Sequence, residues 1–371
     1  MSTTNLFEGF GTRCSMRAEN DAGLRRRMVE IEVVENNERD PYWQFPSSGS
    51  IQHLCVSEVE LGGVKLSEPR ALLSEWPASA IIGNDFLGSV LYSTSNVAAK
   101  AGKLTPVPLL MVSIVVQLYK FMYAEVITAI PMNGGTYNAL LNATSKPIAT
   151  VAACLSILSY LTTGVIAATS GIKYLGTQVN IPFECCTVAL LLVFAIVAFT
   201  GIKTSSRVAL VIFLHHIVVL SVLVVSCAVY GIKNPHIFRD NMKAHYPEVD
   251  FAGSILDGNA FTAVFFGFGA AMLGITGFES SSNYVEEQAP GVFRKTLRNA
   301  ALPTTIFNAT LAVGILAVLP LGGDNGIYAS EDALLSKAAE ASLGSWFGTW
   351  VSVDAFIVLS GSVLTSYVGI C

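Results

Sequence analysis

Charge is what this chain has least of. Asp, Glu, Lys and Arg make up 13% of its 371 residues, about half the share of a soluble domain. With 52% hydrophobic residues and a mean hydropathy of +0.55, the composition excludes a soluble fold and predicts an all-α polytopic membrane protein. A net charge of −5, with no basic stripe outside short loops, excludes a nucleic-acid partner. Seven cysteines (Cys14, Cys55, Cys154, Cys185, Cys186, Cys227 and Cys371) lack paired spacing, so neither a disulfide framework nor a zinc site is expected. No His/Glu set has metal-ligand spacing, and no nucleophile, base and acid fall on one face. Catalytic residues, metal ligands and cofactors are therefore all expected to be none, and an embedded enzyme is disfavoured. The opening residues, MSTTNLFEGFGTRCSMRAEN, have no apolar core and do not read as a secretory leader.

What is present is a series of apolar runs long enough to cross about 30 Å of hydrocarbon. Eight are expected, near 78–98, 106–130, 147–172, 183–202, 208–231, 259–280, 300–320 and 346–370. Residues 1–76 form a polar tail, read as largely disordered, although IQHLCVSEVELGGVKL alternates enough for a strand pair. Residues 77–371 form the membrane domain. Basic residues flanking the spans divide eight to seven between the two sides, so the positive-inside rule leaves orientation open. A long charged tail without a leader favours a cytoplasmic amino terminus; a plasma-membrane location is the expectation.

The stretch Phe261–Glu287 carries Gly267, Gly269, Gly274 and Gly277 and includes the carboxylate of Glu279. Glycines that interrupt an apolar segment are one signature of a discontinuous membrane helix, which aims free backbone groups at a solute. The other reading is close helix–helix packing. The first span is interrupted in the same way by Gly83, Asn84, Asp85, Gly88 and Ser89. Asp85 reads as a solute or coupling-ion group, or as a satisfied intramembrane partner. Tyr160, beside Ser156 and Ser159 in the third span, reads as a cavity gate or an aromatic packer. His215 and His216 in the fifth span point about 100° apart on a helix, so they are not expected to share one site. A histidine changes charge near neutral pH and suits proton coupling, with Asp85 or Asp354 as partner to His216. The Ser/Thr face of the eighth span (Ser360, Ser362, Thr365, Ser366) keeps sodium open.

Four phrases stand in order: IIGNDFLGSVLY, YAEVITAIPMNGGTYN, GIKTSSRVALV and GFESSSNYVEEQAPGVFRKTLRN. Over about residues 76–371 the chain resembles the amino acid–polyamine–organocation superfamily of amino acid permeases. The resemblance implies two inverted five-helix repeats, with helices one and six unwound at mid-membrane. It implies that a solute carboxylate meets backbone N–H groups of Gly88, Ser89 and Val90. The solute ammonium would meet carbonyls of Gly274, Ile275 and Gly277. The sequence departs from the pattern at Val90, where a second glycine is usual, and at Ile275, where a gating aromatic is common. His216 stands where some proton-coupled relatives have lysine. Asp85 stands where a small or apolar residue is usual, leaving room for a cationic substrate. Eight spans leave the second repeat incomplete, as in a permease truncated after its eighth helix.

The expectation is thus a secondary active transporter of amino acids, coupled to protons or to sodium, alternating in access across a lipid bilayer. The substrate-binding set is Asp85, Gly88, Ser89, Val90, Tyr160, Gly274, Ile275 and Gly277; the ion-coupling set is His216 and Asp354. A basic amino acid or polyamine transporter is one alternative. A non-transporting fragment, or a nutrient sensor with a permease-like body, is the other.

Overall fold

A computed structural model describes residues 28–29, 56–57, 72–199, 206–251 and 253–370. Most of the expected polar tail lies outside these residues, so its predicted disorder does too. The two short strands described from it, β1 (Met28–Val29) and β2 (Val56–Ser57), pair antiparallel with each other. Of the stretch 51–66, where a strand pair is expected, only Val56 and Ser57 are among the described residues, and the rest of that expectation lies outside them.

Helices occupy the eight apolar stretches. They are α1 (Glu75–Ala101), α2 (Pro106–Ala129), α4 (Lys146–Gly176), α5 (Phe183–Phe199), α6 (Ser206–Lys233), a broken sixth span that begins as α8 (Ala260–Ala271), α9 (Val292–Val318) and α11 (Ser345–Ile370). Three shorter helices connect them: α3 (Gly135–Ala143), α7 (Pro235–Lys243) and α10 (Leu334–Leu343). A small hairpin of β3 (Val249–Phe251) and β4 (Ser254–Leu256) follows α7. Six of the helical segments are long and apolar enough to cross a membrane. Among the eight, α5 is shorter, while α1 has the length but is interrupted by polar residues.

The placement of α1 explains that polarity. Twenty of its 27 residues are buried, because α6, the sixth span, α9 and α11 all pack around it. Polar side chains on such a helix face protein rather than lipid, where they would be costly. The peripheral helices show the reverse: Ile114 and Phe121 of α2, Leu155 and Leu158 of α4 and Leu192 of α5 are exposed, as lipid-facing residues should be. One apolar core joins α1, α4, α6, α9, α10 and α11. A second joins α1, α2, the sixth span and α9 around Phe86 and Phe278, whose ring centroids lie 5.2 Å apart.

The expected break in the first span does not occur. Helix α1 runs without interruption through Gly83, Asn84, Asp85, Gly88, Ser89 and Val90. Its two glycines serve close approach instead. A Cβ at Gly83 would fall on the ring of Phe213 in α6, and one at Gly88 would lie 2.8 Å from Val358 Cγ1 in α11.

On one side of the bundle, three polar segments are fastened together. Leu73 N donates to Glu287 O at 2.7 Å and Ala289 N to Leu73 O at 3.0 Å. The Glu75 carboxylate takes Asn299 Nδ2 at 3.0 Å and Lys295 Nζ at 3.1 Å, with Arg298 at 3.4 Å. Asn133 and Glu286 bond reciprocally, each backbone N–H to the other's side-chain oxygen, at 3.1 and 3.0 Å. The two long motifs after the second and sixth spans therefore meet in space.

Candidate functional site at the break in the sixth helix

The sixth span starts firmly. Asn259 Oδ1 accepts from Thr262 N at 2.9 Å, and Thr262 Oγ1 accepts from Asn259 N at 3.0 Å, a reciprocal cap. Helix α8 then tightens into a 3₁₀ turn over Met272–Ile275. Thr276 is extended (φ −57°, ψ 142°) and Gly277 is left-handed at φ 88°. A second 3₁₀ segment, Phe278–Glu287, resumes beyond. Only glycine takes that φ without strain, so the break anticipated at Gly277 is built into the backbone.

Helix α1 presents a polar stripe to this break. Asp85, Ser89, Tyr92 and Ser93 recur at the spacing that puts residues on one helical face. Asp85 is 2% exposed. Its Oδ2 accepts from Ser280 Oγ at 3.4 Å, and a Cβ on Gly277 would lie 2.5 Å from that same oxygen. Ser89 Oγ lies 2.6 Å from Phe86 O and 3.1 Å from Gly274 O, so one hydroxyl proton serves its own helix and a carbonyl of the break. Tyr92 OH meets Thr276 Oγ1 at 2.9 Å. Gly274 itself sits tightly on Ser93, with 3.2 Å from a notional Cβ to its Oγ.

Several buried polar atoms here have no partner: Asp85 Oδ1, Ser93 Oγ and Ser281 Oγ. Glu279 is partly buried and close enough to repel Asp85 electrostatically. Among the described residues neither carboxylate has a basic partner; Glu75, by contrast, has two. A groove of about 350 Å³, lined by Ser159, Thr162, Thr163, Leu273 and Thr276, reaches the break from the side of α4.

The remaining expected residues divide. Tyr160 is buried and its hydroxyl accepts from Asn283 Nδ2 at 2.8 Å, tying α4 to the segment after the break. The side chain of Ile275 is buried in the apolar cluster with Phe86 and Phe278. Val90 is fully buried in the larger core. Because α1 is continuous, the backbone groups of Gly88, Ser89 and Val90 lie inside a closed helix. They do not form the anion cradle expected of an unwound segment. Tyr92, Ser93 and Thr276 escaped the sequence reading, although the i+7 and i+8 spacing from Asp85 was available to find two of them.

A second cluster joins α6 to α11. His215 Nδ1 lies 2.8 Å from Asp354 Oδ1 and His216 Nδ1 lies 2.5 Å from Asp354 Oδ2. His216 and Asp354 are buried, whereas the His215 side chain is 43% exposed. The expectation that adjacent histidines cannot share a site is thus overturned. One carboxylate has two oxygens, and each imidazole reaches a different one. Trp350 Nε1 donates to His215 Nε2 at 3.0 Å. On the same helix Thr365 and Ser366 hydroxyls bond carbonyls one turn back, Gly361 O and Ser362 O, so they are engaged by their own helix.

A bundle of helices long and apolar enough to cross a membrane, packed around a polar central helix and including a broken sixth span, is the architecture of an integral multi-pass membrane protein. A family model described as amino acid permease matches residues 73–371, and the chain belongs to that family. No curated protein matches. Solved structures similar to it include three mutant forms of the manganese transporter of Eremococcus coleocola. Each is 12% identical, with TM-scores of 0.45, 0.43 and 0.43. The alignments cover 83% of this chain and 65% of each transporter, so the chain spans about two thirds of their length.

Proposed function

We propose that this chain is the core of a proton-coupled secondary active transporter of amino acids, working by alternating access. The observation that carries the reading is the interruption at Thr276-Gly277, opposite a buried carboxylate with an unpartnered oxygen. Carbonyls at a helix break attract a cation; Gly274 O accepts from Ser89 Oγ and Gly277 O from Ser280 N, and with their second lone pairs the carbonyls of Gly274, Ile275 and Gly277 would take a solute ammonium with Asp85 beside them. Tyr160, held by Asn283, would border the far side. In the conformation described, Asp85 itself fills the space over Gly277 and α1 is closed. Binding of a solute carboxylate at Gly88, Ser89 and Val90 therefore requires α1 to open there. His216 and Asp354, the buried imidazole–carboxylate pair that joins α6 to α11, would carry the coupling proton; sodium is the competing ion. The amino terminus would face the cytoplasm at the plasma membrane, the orientation that the resemblance to amino acid permeases implies.

A second reading has its own support. Asp85 and Glu279, without a basic partner, favour a basic amino acid or polyamine over a zwitterion. Uptake of labelled leucine, arginine and putrescine into vesicles, under imposed pH or sodium gradients, separates these. Asp85→Asn should reduce a dicationic or basic substrate about tenfold or more, the effect of losing roughly 1.5–3 kcal/mol from a charged hydrogen bond, and leucine less. Equal loss for all substrates would make Asp85 structural. Binding without flux would favour a sensor or non-transporting fragment.

A further inference from the structure

We propose that the coupling proton binds at Nε2 of His216, and that His215, held neutral by Trp350, is a positioning residue that takes no proton. The inference rests on the proton-coupled reading and assigns the atoms within it. An indole N–H can only donate. Trp350 Nε1 bonds His215 Nε2 at 3.0 Å, so that nitrogen must present its lone pair. The single proton of a neutral imidazole then sits on Nδ1 and is donated to Asp354 Oδ1 at 2.8 Å. Protonating His215 a second time would set N–H against N–H. The indole is itself held in place: Trp346 stacks on it and Phe347 meets its edge.

His216 differs at one atom. Its Nδ1 donates to Asp354 Oδ2 at 2.5 Å, but its Nε2 is buried without a partner. A proton taken there from water makes an imidazolium beside the carboxylate, and the His216–Asp354 pair goes from a charge of −1 to 0. Release of the proton restores it. His215 occupies the other carboxylate oxygen and fixes the orientation in which Asp354 meets His216.

Several ionisable groups on the helices packed around α6 are committed elsewhere, and Lys100 of α1, Arg294 of α9 and His236 and Arg239 of α7 are exposed. Asp85 and Tyr92 of α1 bond the sixth span. Lys295 and Arg298 of α9 pair with Glu75. Lys337 and Glu340 of α10 pair with each other, as do Lys243 and Asp240 of α7. Asp354 of α11 is the ion-pair partner of both imidazoles.

The test is nitrogen NMR of the full chain, labelled at histidine and held in nanodiscs, titrated from about pH 5 to 8, the range in which histidine ordinarily changes charge. The five histidines are few enough to assign the pair with His215→Gln and His216→Gln. Nε2 of His216 should titrate, whereas His215 should keep its Nδ1–H tautomer throughout. Trp350→Phe keeps a ring but removes the donor, and should turn His215 into a second titrating imidazole. In vesicles the same variant should steepen the pH profile of uptake from one proton towards two. A native protein in which His215 titrates and His216 does not would overturn the assignment, as would a Trp350→Phe spectrum unchanged at His215. Uptake by the native protein that ignores an imposed pH gradient would instead overturn the coupling reading, a failure recognisable because the tautomers stay as assigned.

Discussion

Gly277→Ala is the perturbation that bears most directly on the break. An alanine there would have to hold φ near 88°, a left-handed region that costs an L-residue about 1–2 kcal/mol. Its methyl carbon would also lie 2.5 Å from Asp85 Oδ2 and 2.7 Å from Asp85 Cγ. Ordinary non-bonded separations are about 3.5 Å, so the carboxylate must retreat by roughly an ångström or the break must widen. Overpacking of that kind costs about 1–3 kcal/mol, giving a total of about 2–5 kcal/mol with the backbone contribution. Asp85→Ala removes the two closest atoms, leaving its Cβ 3.2 Å from the new methyl, without relieving the backbone. In that background Gly277→Ala should cost only about 1–2 kcal/mol, leaving a coupling of about 1–3 kcal/mol between the two positions. Thermal unfolding of the native protein, the two single variants and the double variant in one detergent reads out the cycle. Strictly additive losses, or a Gly277→Ala protein as stable as the native one, would refute the packing of Asp85 into the break.

Two smaller perturbations bear on the same architecture. Ser89→Ala deprives Gly274 O of its donor, and should lower stability by about 1 kcal/mol; an unchanged unfolding midpoint would mean that the bond is not made. At the start of α1, Asn299 and then Lys295 hold the Glu75 carboxyl below the usual carboxylate range. A lowered acid stabilises the tie above its ordinary value and loses it as pH falls through the lowered one. Amide exchange over residues 73–78, corrected for its intrinsic pH dependence, should therefore rise under acid conditions. Glu75→Gln should show the same rise at neutral pH, and matching exchange in the variant and the native protein there would contradict the tie.

The helices were legible because hydropathy reads length directly, and the break in the sixth span because glycines interrupt its apolar run, Gly277 standing where other residues take the required φ only at a cost. The first span misled for a physical reason. Gly83 and Gly88 carry the same signature as Gly277, but they make room for Phe213 and Val358 rather than turn the chain. Glycine for close packing and glycine for a break look identical until the partner helix is known. The histidine pair misled differently. Angular separation on a helix argues against a shared site, yet a carboxylate arriving from α11 can serve both rings through its two oxygens. Trp350 was invisible in sequence terms, because its role exists only through a contact 135 residues away. The carboxylate at Glu75 likewise acquires its partners from residues more than 200 positions further on.

Substrate protection at Thr276 tests the central claim most directly. With the seven native cysteines replaced by serine, Thr276→Cys places one thiol at the break, where the groove beside α4 meets it. Its rate of modification by a small polar thiol reagent is then measured with and without an amino acid or amine that the protein accumulates. Slower modification, in proportion to the bound fraction of that solute, is the predicted result. A rate indifferent to every transported solute would contradict a substrate seat at the broken sixth helix.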